Sequence, residues 1–492
     1  MQETSRNDTI RRVIIQRDIP PESVQGLGEF MDRYYIRPRA NSVDQTSLRW
    51  IPNGFILAWT IKPVPDKSTK PLQVLLKVSK GVAEVDYPAL DPNDKSLENL
   101  VERTADDLES VLLSYFDHVK RSSLYFVIGA NEEHSEAPDQ RGMMMSALKR
   151  IFTGNSTSLF LMFTLVSIAL FYVIGVYSVF LLIALQLGAL VYSDKIVYRI
   201  GNVRPSAERP LVTIASVRSS PETLSAVSQH GQSVLSQIRD EIARATQVSD
   251  RVSDSEKFKS LVIGALMRHG VTVSGNDISI ITRNPYQIVK QVSEKFNRPI
   301  PKITIANSLV SNAAATGISS NRSTVMITAG SLEDLNDEEL EGVIGHELGH
   351  VKGHDPVILF AATSFEFLGR FFVWTPLLYY LGLFYFFLAF GGIYLVGKFL
   401  ETRADTESAV VVGKPGALVS ALTKIGFRQL YHEKYDPGTK LFDWFRFDPH
   451  PPIYFRITRL SKYISKKGPL KHTLLVSIKD VFVGFFSALI SV

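Results

Sequence analysis

The stretch His346-Glu347-Leu348-Gly349-His350 decides how this chain is interpreted. Two histidines four residues apart project from the same face of a helix, so their imidazoles can share one metal ion. The carboxylate of Glu347 is then rotated toward a water molecule that the metal activates. The pattern predicts a hydrolytic zinc site built on one turn of helix.

The residues around this stretch favour a helix. Asn336 is a favourable N-cap with Glu339 three residues later, and Gly353 is a favourable end. Apolar residues recur between these limits at helical spacing, namely Leu340, Val343, Ile344, Leu348 and Val351. The sequence therefore predicts that the motif lies on an amphipathic helix.

Two histidines leave a zinc site one protein ligand short. The metzincin pattern places a third histidine six residues after His350, but Pro356 stands there. His354 is a local alternative, although its position near a helix end favours a solvated or capping role. Glu401 is the stronger candidate, because Asp405 shares its helical face and can orient a ligand. The prediction is a His-His-Glu site with one open position.

The sequence resembles the HtpX-like membrane-bound zinc metalloendopeptidases, which are gluzincins related to the CAAX prenyl proteases. The resemblance covers about residues 285–462 and rests on several blocks in the order typical of the family. These blocks are residues 311–317, 323–329, 335–340, the motif helix, 401–405, His450-Pro451-Pro452 and Arg456. The chain departs from the family pattern in two places. About 150 residues precede its first apolar segment, and Ala314 stands where an aromatic residue is usual.

The resemblance implies a set of site residues around one zinc ion per chain. The chemistry of the ligands already assigns Glu347 as the general base that takes a proton from water and passes it to the leaving amine. Asn312 and His450 are implied to grip the substrate or to stabilise the oxyanion; without the resemblance His450 would be interpreted as a helix-start residue. Arg456, together with Asp405, supports the ligands from behind.

A substrate-binding strand is also implied. Asn312, Ala313 and Ala314 lie on a stretch that would hold an extended peptide as an added β-strand through backbone hydrogen bonds. Such binding suits an endopeptidase that accepts many sequences.

Composition favours an integral membrane protein. The 492 residues include 29 Phe and 18 Tyr, and the mean hydropathy is +0.07. A net charge of +5 is too small and too dispersed to indicate a nucleic-acid partner. The chain has no cysteine, which excludes disulfides and thiolate zinc ligands.

The first apolar block predicts a transmembrane hairpin over residues 151–200. Residues 159–192 are all uncharged, and as one helix these 34 residues would be about 50 Å long against a hydrocarbon core of about 30 Å. A reversal is expected near Gly175, Tyr177 and Ser178. Basic residues on both sides favour a cytoplasmic location for both ends. A single tilted helix is the alternative and would place residues 1–150 across the membrane from the site.

The second apolar block predicts another transmembrane hairpin, residues 356–398. It separates the motif helix from Glu401, so the chain has to leave the site and return to it. Trp374 and Pro376 are expected to break the hairpin near the far surface. Glu366 and Arg370 lie four residues apart, which predicts an ion pair within the membrane. Its role, fixing orientation or handling substrate, is left open.

The predicted fold class is therefore α+β. We expect an integral membrane gluzincin metallopeptidase with a mainly helical catalytic core, a small β-sheet, two transmembrane hairpins and an extra N-terminal α+β domain. The core is expected in two parts, residues 201–355 and 399–470, of which 204–254 form a helical linker.

The sequence also predicts the structure of the N-terminal domain and of the C-terminal tail. The N-terminal domain spans residues 1–150, with strands at 11–19, 47–63 and 72–85 and helices at 21–35 and 97–119. An apolar tail, residues 471–492, closes the chain. Its continuous apolar part, residues 481–492, is too short to span a membrane.

Three functions are compatible with this sequence. The first is a zinc-dependent endopeptidase, anchored as a multi-pass protein in the cell membrane with its site facing the cytoplasm. Its zinc-activated water would hydrolyse membrane or misfolded proteins in quality control. The second is a CAAX-type prenyl-peptide processing protease, and the third is a non-catalytic zinc-containing membrane scaffold. A closed structural site has no use for Glu347, which argues against the third. The lipid bilayer is an expected partner, and a homo-oligomer is left open.

Overall fold

The computed structural model describes most of the chain, namely residues 5–7, 10–16, 19–62, 71–88, 95–121, 123–129, 156–218, 232–247, 255–464 and 473–490. Contacts divide the chain into two units, Met1–Ser123 and Leu124–Val492. The boundary lies earlier than the expected end of the N-terminal domain at residue 150. The reason is that the strand Ser123–Gly129 joins a sheet of the second unit.

Among its described residues, the first unit has an antiparallel sheet of six strands and two α-helices. The strands are β1 (Ser5–Asn7), β2 (Ile10–Gln16), β3 (Val43–Ile51), β4 (Gly54–Ile61), β5 (Leu72–Ser79) and β6 (Val82–Pro88), in the order β1-β2-β6-β5-β4-β3. The helices are α1 (Val24–Met31) and α2 (Lys95–Arg121). One apolar core joins sheet and helices, with Leu27, Trp59, Leu76 and Leu108 almost fully buried.

Two stretches that were each expected to form one strand form a hairpin of two strands instead. The stretches 47–63 and 72–85 are longer than most strands, and each contains a turn. Asn53 has φ 55° between β3 and β4, while Lys80 and Gly81 have φ 51° and 79° between β5 and β6. A two-residue turn with both φ values positive is the type I′ turn that matches strand twist. The Lys80-Gly81 step is thus where the chain reverses.

The described part of the second unit contains two small sheets. Strands β7 (Ser123–Gly129), β8 (Val212–Arg218) and β9 (Ile278–Arg283) form one in that order. Helices α5 (Gln232–Gln247) and α6 (Ser255–Arg268) pack on it through Ile238, Ile242, Phe258 and Val262. The prediction of a helical linker at 204–254 was therefore wrong for β8. Val212, Thr213, Ile214 and Ala215 are all buried in this strand, and its pairing with β9 provides burial that a linker would lack.

The other sheet lies beside the motif helix. Its strands are β10 (Lys302–Ala306), β11 (Ala313–Ser319) and β12 (Arg322–Thr328), in the order β10-β12-β11. The pair β10 and β12 is parallel, and β11 runs antiparallel to β12 at an edge of the sheet. Helices α7 (Pro285–Lys295) and α8 (Ala329–Asp334) flank this sheet in sequence.

The predicted motif helix is α9 (Asp337–Gly353). Asn336 caps it with Glu339 in a reciprocal capping box, as expected. His354 follows in the left-handed conformation with φ 56° and is the C-cap. Glycines let other helices approach α9 closely. A Cβ atom on Gly345 would lie 2.4 Å from Val412, and one on Gly349 would lie 3.1 Å from the backbone of Ala404.

Both predicted apolar blocks form helices, and a further apolar helix lies at the C-terminus. They are α3 (Ser156–Ile174), α4 (Tyr177–Ile200), α10 (Asp355–Phe372), α11 (Thr375–Leu381), α12 (Leu383–Val411) and, at the C-terminus, α16 (Thr473–Ile490). Within the described residues, α4, α12 and α16 are long and apolar enough to cross a membrane. The pair α10 and α11 is bent by 83° and is a fourth candidate, as a broken span or a re-entrant segment.

The breaks in the apolar blocks lie at the predicted residues. Gly175 has φ 62° between α3 and α4, and Trp374 is non-helical between α10 and α11. The predicted ion pair also exists. Arg370 donates from Nε to Glu366 Oε1 at 3.0 Å, and the hydroxyl of Tyr385 on α12 donates to the same oxygen at 2.8 Å. These bonds join α10 to α12, which favours an orientation-fixing role for the pair.

The remaining helices are α13 (Pro415–Tyr435), α14 (Pro437–Phe445) and α15 (Ile453–Ile464). The expectation that the C-terminal tail is too short to span was wrong, because α16 begins at Thr473 and continues through Asp480. Asp480 does not break the helix, since Arg459 on α15 donates to it at 2.7 Å. Val481 is fully buried and packs in a cluster with Trp444 and Phe455.

Candidate metal centre

Two helices bring three donor groups together. On α9, the Nε2 atoms of His346 and His350 lie 3.1 Å apart. Glu401 on α12 faces both of them, with Oε2 3.2 Å from His346 Nε2 and Oε1 3.3 Å from His350 Nε2. Tertiary packing therefore places the distant carboxylate within reach of both imidazoles of the motif.

The spacing of these donors fits a metal ion. Tetrahedral zinc holds nitrogen and oxygen ligands at about 2.0–2.1 Å, which places neighbouring donor atoms about 3.3 Å apart. The three separations between the donor groups are close to that value. Oε2 of Glu401 is buried and accepts no hydrogen bond from the described residues, so a lone pair is available. His346, His350 and Glu401 could thus hold one divalent ion.

An aspartate and an arginine stand behind His346. Oδ1 of Asp405 lies 2.9 Å from Nδ1 of His346. Arg456 on α15 donates to both oxygens of Asp405, at 2.7 and 2.8 Å, and all three side chains are buried. Because Nδ1 lies against a carboxylate, Nε2 is the ring nitrogen that is free to bind a metal ion, and it faces Glu401.

Glu347 lies between the metal donors and the edge strand. Its Oε2 accepts a hydrogen bond from the backbone N–H of Ala315 at 2.7 Å. Burial raises the pKa of the Glu347 carboxyl, while the neighbouring His346 and His350 partly offset that effect. A carboxylate with a raised pKa beside a metal site is well suited to accept and return a proton.

The substrate-binding residues predicted on the edge strand lie next to this contact. Asn312 is exposed, and its carbonyl accepts from the backbone N–H of Thr328 at 3.0 Å. Ala313 and Ala314 are half-buried on β11 and pack against different clusters. The direct contact with Glu347 is made one residue further on, by Ala315, which the sequence did not single out.

His450 lies at the mouth of the site, in the loop before α15. Its Nε2 is 3.5 Å from Oε1 of Glu401, and its side chain is 54% exposed. The Glu401 carboxylate raises the pKa of His450. Asp448 accepts from the His450 backbone N–H at 2.9 Å and lies 2.7 Å from its Nδ1. Lys398 on α12 donates to the carbonyls of Arg446 and Asp448 and so fixes the loop.

The sequence analysis singled out neither Asp448 nor Asp355. Asp448 lies only two residues before His450, and this short spacing could have indicated a contact between their side chains. Asp355 contacts His350 because the left-handed His354 turns the chain between two helices. His354 itself is exposed and 3.3 Å from the carbonyl of Ile318, so the capping role expected for it is confirmed.

Comparisons with known proteins agree with this geometry. The family model described as peptidase family M48 matches residues 282–464. A protease HtpX homolog of Bifidobacterium longum is 31% identical over 36% of this chain and 68% of its own length. A protease HtpX homolog of Thermodesulfovibrio yellowstonii is 32% identical over 36% of this chain and 73% of its own length. A third, from Thermococcus kodakarensis, is 32% identical over 37% of this chain and 74% of its length.

Proposed function

Because this chain belongs to the HtpX-like members of peptidase family M48, and is therefore a membrane metalloprotease, we propose that it is a zinc-dependent endopeptidase. The proposed ligands are His346, His350 and Glu401. The observation that carries this proposal is the convergence of three donor groups, with contacts of 3.1–3.3 Å between them, beside a further carboxylate, Glu347.

Each of the proposed residues has a separate role in peptide hydrolysis. A zinc ion held there would supply Lewis-acid activation of a water molecule and of the scissile carbonyl. Glu347 accepts the proton of that water and transfers it to the leaving amine. His450, held by Asp448 at Nδ1, directs Nε2 toward the site and stabilises the oxyanion. Asp405 and Arg456 keep His346 in its ligating orientation.

The edge strand suggests how a substrate is held. The outward N–H of Ala315 points to Glu347 rather than to β12, so the outer edge of β11 faces the site. An extended peptide added beside β11 would use backbone hydrogen bonds and would require little sequence specificity. This binding mode, with Asn312, Ala313 and Ala314 lining the strand, supports unfolded or misassembled polypeptides as substrates.

The apolar helices support membrane proteins as the natural substrates and protein quality control as the role. Glu401 lies on α12, a helix whose preceding residues are apolar enough to cross a membrane. The site is therefore close to the bilayer. We place the enzyme in the cell membrane as a multi-pass protein with two transmembrane hairpins and with the site facing the cytoplasm, because basic residues flank residues 151–193 on both sides.

The N-terminal unit contributes no candidate ligand or base among its described residues. We assign it to docking, access or assembly rather than to chemistry. A chain lacking residues 1–123 should bind zinc and cut a short unstructured peptide, with an altered rate on membrane-embedded substrates. A folded, zinc-loaded truncation that fails on the short peptide would contradict this assignment.

The function is tested with purified full-length protein in detergent. We expect about one zinc per chain, reversible inhibition by a chelator, and internal cleavage of an unfolded membrane protein, with the products identified by mass spectrometry. Full activity of a verified metal-free preparation would rule out the mechanism. A farnesylated CAAX peptide cut in strong preference to its unmodified form would favour the prenyl-peptide alternative instead.

A further inference from the structure

Asp355 is a buried carboxylate that contacts a proposed metal ligand. It is the first residue of α10, and 2% of its surface is exposed. Its Oδ2 lies 2.7 Å from Nδ1 of His350. Arg403 on α12 donates from Nη2 to both oxygens of Asp355 at 2.7 Å, and to the carbonyl of Gly349 at 3.1 Å. Asp355 thus joins the motif helix to the helix that carries Glu401.

The chemistry of this contact fixes the state of the imidazole. An ionised carboxylate can only accept hydrogen bonds, so Nδ1 of His350 has to carry the proton. The lone pair is then on Nε2, the atom that lies 3.3 Å from Glu401. A buried carboxylate without a partner would be costly, and the guanidinium of Arg403 supplies the compensating charge.

The backbone leaves room for this arrangement. Gly353 ends α9, and a Cβ atom there would lie 1.8 Å from Nη1 of Arg403. The guanidinium therefore occupies the space that a side chain at 353 would fill. His354 then turns the chain in the left-handed conformation, which places Asp355 beneath His350. Each element of the contact depends on the turn between α9 and α10.

Each of the two proposed histidine ligands has a carboxylate near Nδ1, and an arginine binds that carboxylate. His346 has Asp405 and Arg456 behind Nδ1, and His350 has Asp355 and Arg403. The first support lies on α12 and α15. The second begins at Asp355, where the apolar segment α10 leaves the site.

We propose that Asp355 is a positioning residue that holds His350 in its metal-binding tautomer and orientation, with Arg403 fixing the carboxylate. This inference rests on the proposed metal site and adds a residue to it. It also makes the start of α10 part of the metal centre, so a displacement of α10 against α12 would tilt His350.

The test compares two variants of the full-length protein in detergent. Asp355→Asn should weaken zinc affinity about 10- to 100-fold, the usual effect of losing such a partner, and should shift the visible absorption of the cobalt-substituted protein. Glu407→Gln is the matched control. Glu407 is a buried carboxylate that also faces Arg403, at 3.5 Å, but no contact joins it to His350 among the described residues. Its loss should leave zinc affinity and the cobalt spectrum unchanged.

If Asp355→Asn does not fold, the proposal is tested by a measurement on the parent protein. Ring-nitrogen NMR of the zinc-loaded protein, labelled at histidine, should show His350 protonated at Nδ1 and ligating through Nε2. Ligation through Nδ1, or a folded Asp355→Asn variant with the parent affinity and cobalt spectrum, would overturn the proposal. Failure of the parent protein to bind zinc through His346, His350 and Glu401 would instead refute the proposed function.

Discussion

The backbone N–H of Ala315 donates a 2.7 Å hydrogen bond to Oε2 of Glu347. The outer edge of β11 and the proposed general base therefore meet at one point. A peptide added along that edge would bring its scissile bond past Glu347, and the same carboxylate contacts both the strand and the metal donors. This relationship connects substrate binding with proton transfer, and it leads to two of the predictions below.

Glu347→Gln should retain zinc and lose most of its activity. The amide keeps the size of the side chain but cannot take a proton from water, and a positioned general base contributes about two to four orders of magnitude. Metal content by mass spectrometry of native protein and kcat/KM on a peptide measure the two effects. His346→Ala is the comparison and should lose the metal as well. A metal-free Glu347→Gln protein would contradict the assignment.

Backbone methylation of a peptide substrate should reveal alternating positions of importance. A strand added to β11 directs every second N–H toward the sheet, and each lost hydrogen bond costs about 1 kcal/mol, or about fivefold in kcat/KM. N-methylation is introduced one residue at a time around the cleavage site. The intervening positions serve as internal controls and should change little. Equal losses at all positions would argue against strand addition.

Gly345→Ala should destabilise the protein and weaken zinc binding. The added Cβ would lie 2.4 Å from Val412 and 2.7 Å from Ser408, so α12 would have to move away from α9. Overpacking of this kind costs about 1–3 kcal/mol. The control is Gly264→Ala on α6, where the nearest atom is 3.5 Å away at the end of Arg268. The apparent melting temperature and zinc affinity should fall only for Gly345→Ala.

Glu433 should make stability depend on pH near neutrality. Its carboxyl is fully buried and accepts from the backbone N–H groups of Ile453 and Tyr454 at 3.1 and 2.7 Å. Burial raises the pKa of Glu433 from 4.5 to about 7. Between these values the unfolded chain loses this proton before the folded protein does. The free energy of unfolding therefore falls as the pH rises, by up to about 1.4 kcal/mol per pH unit.

Glu433→Gln should flatten this part of the stability profile, because the amide does not titrate. Apparent melting temperatures in detergent between pH 4.5 and 8 measure the change. Glu256→Gln is the control, since the side chain of Glu256 is 85% exposed. An unchanged slope in Glu433→Gln would show that this carboxyl does not titrate in the window.

The membrane topology can be read from single cysteines because the chain has none of its own. Val310→Cys, at an exposed position near β11, should react with an impermeant thiol reagent from the cytoplasmic side. Tyr177→Cys and Tyr379→Cys, at positions 74% and 84% exposed, should react only from the opposite side. Cytoplasmic labelling at Tyr177 would mean that α3 and α4 do not form a spanning hairpin.

The order of blocks in the sequence was enough to indicate the family of the chain and to suggest the ligands. Glu401 and Asp405 lie more than 50 residues after His346, yet their spacing on one helix face indicated that they act together. The capped motif helix was equally predictable, because the capping box of Asn336 and Glu339 depends only on local spacing. Interactions between residues close together in the chain can therefore be predicted from the sequence.

The N-terminal sheet was less predictable because strand length was overestimated. The stretches 47–63 and 72–85 contain the turn residues Pro52-Asn53-Gly54 and Lys80-Gly81, which the sequence interpretation passed over. The positive φ values at Asn53, Lys80 and Gly81 show that each stretch turns back on itself. The C-terminal helix was misjudged for the opposite reason. Asp480 would end an apolar segment by composition, but its ion pair with Arg459 neutralises the charge within the helix.

The sequence by itself indicated the proposed ligands, the helix that presents two of them, and the need for a chain reversal before Glu401. Only the tertiary structure decided which groups support those ligands. The contacts of Asp355 with His350, of Lys398 with the His450 loop and of Ala315 with Glu347 join separate elements. Periodicity reports which residues share a face of one element. Contacts between elements depend on how closely the helices approach, and small residues such as Gly345 and Gly349 set that distance.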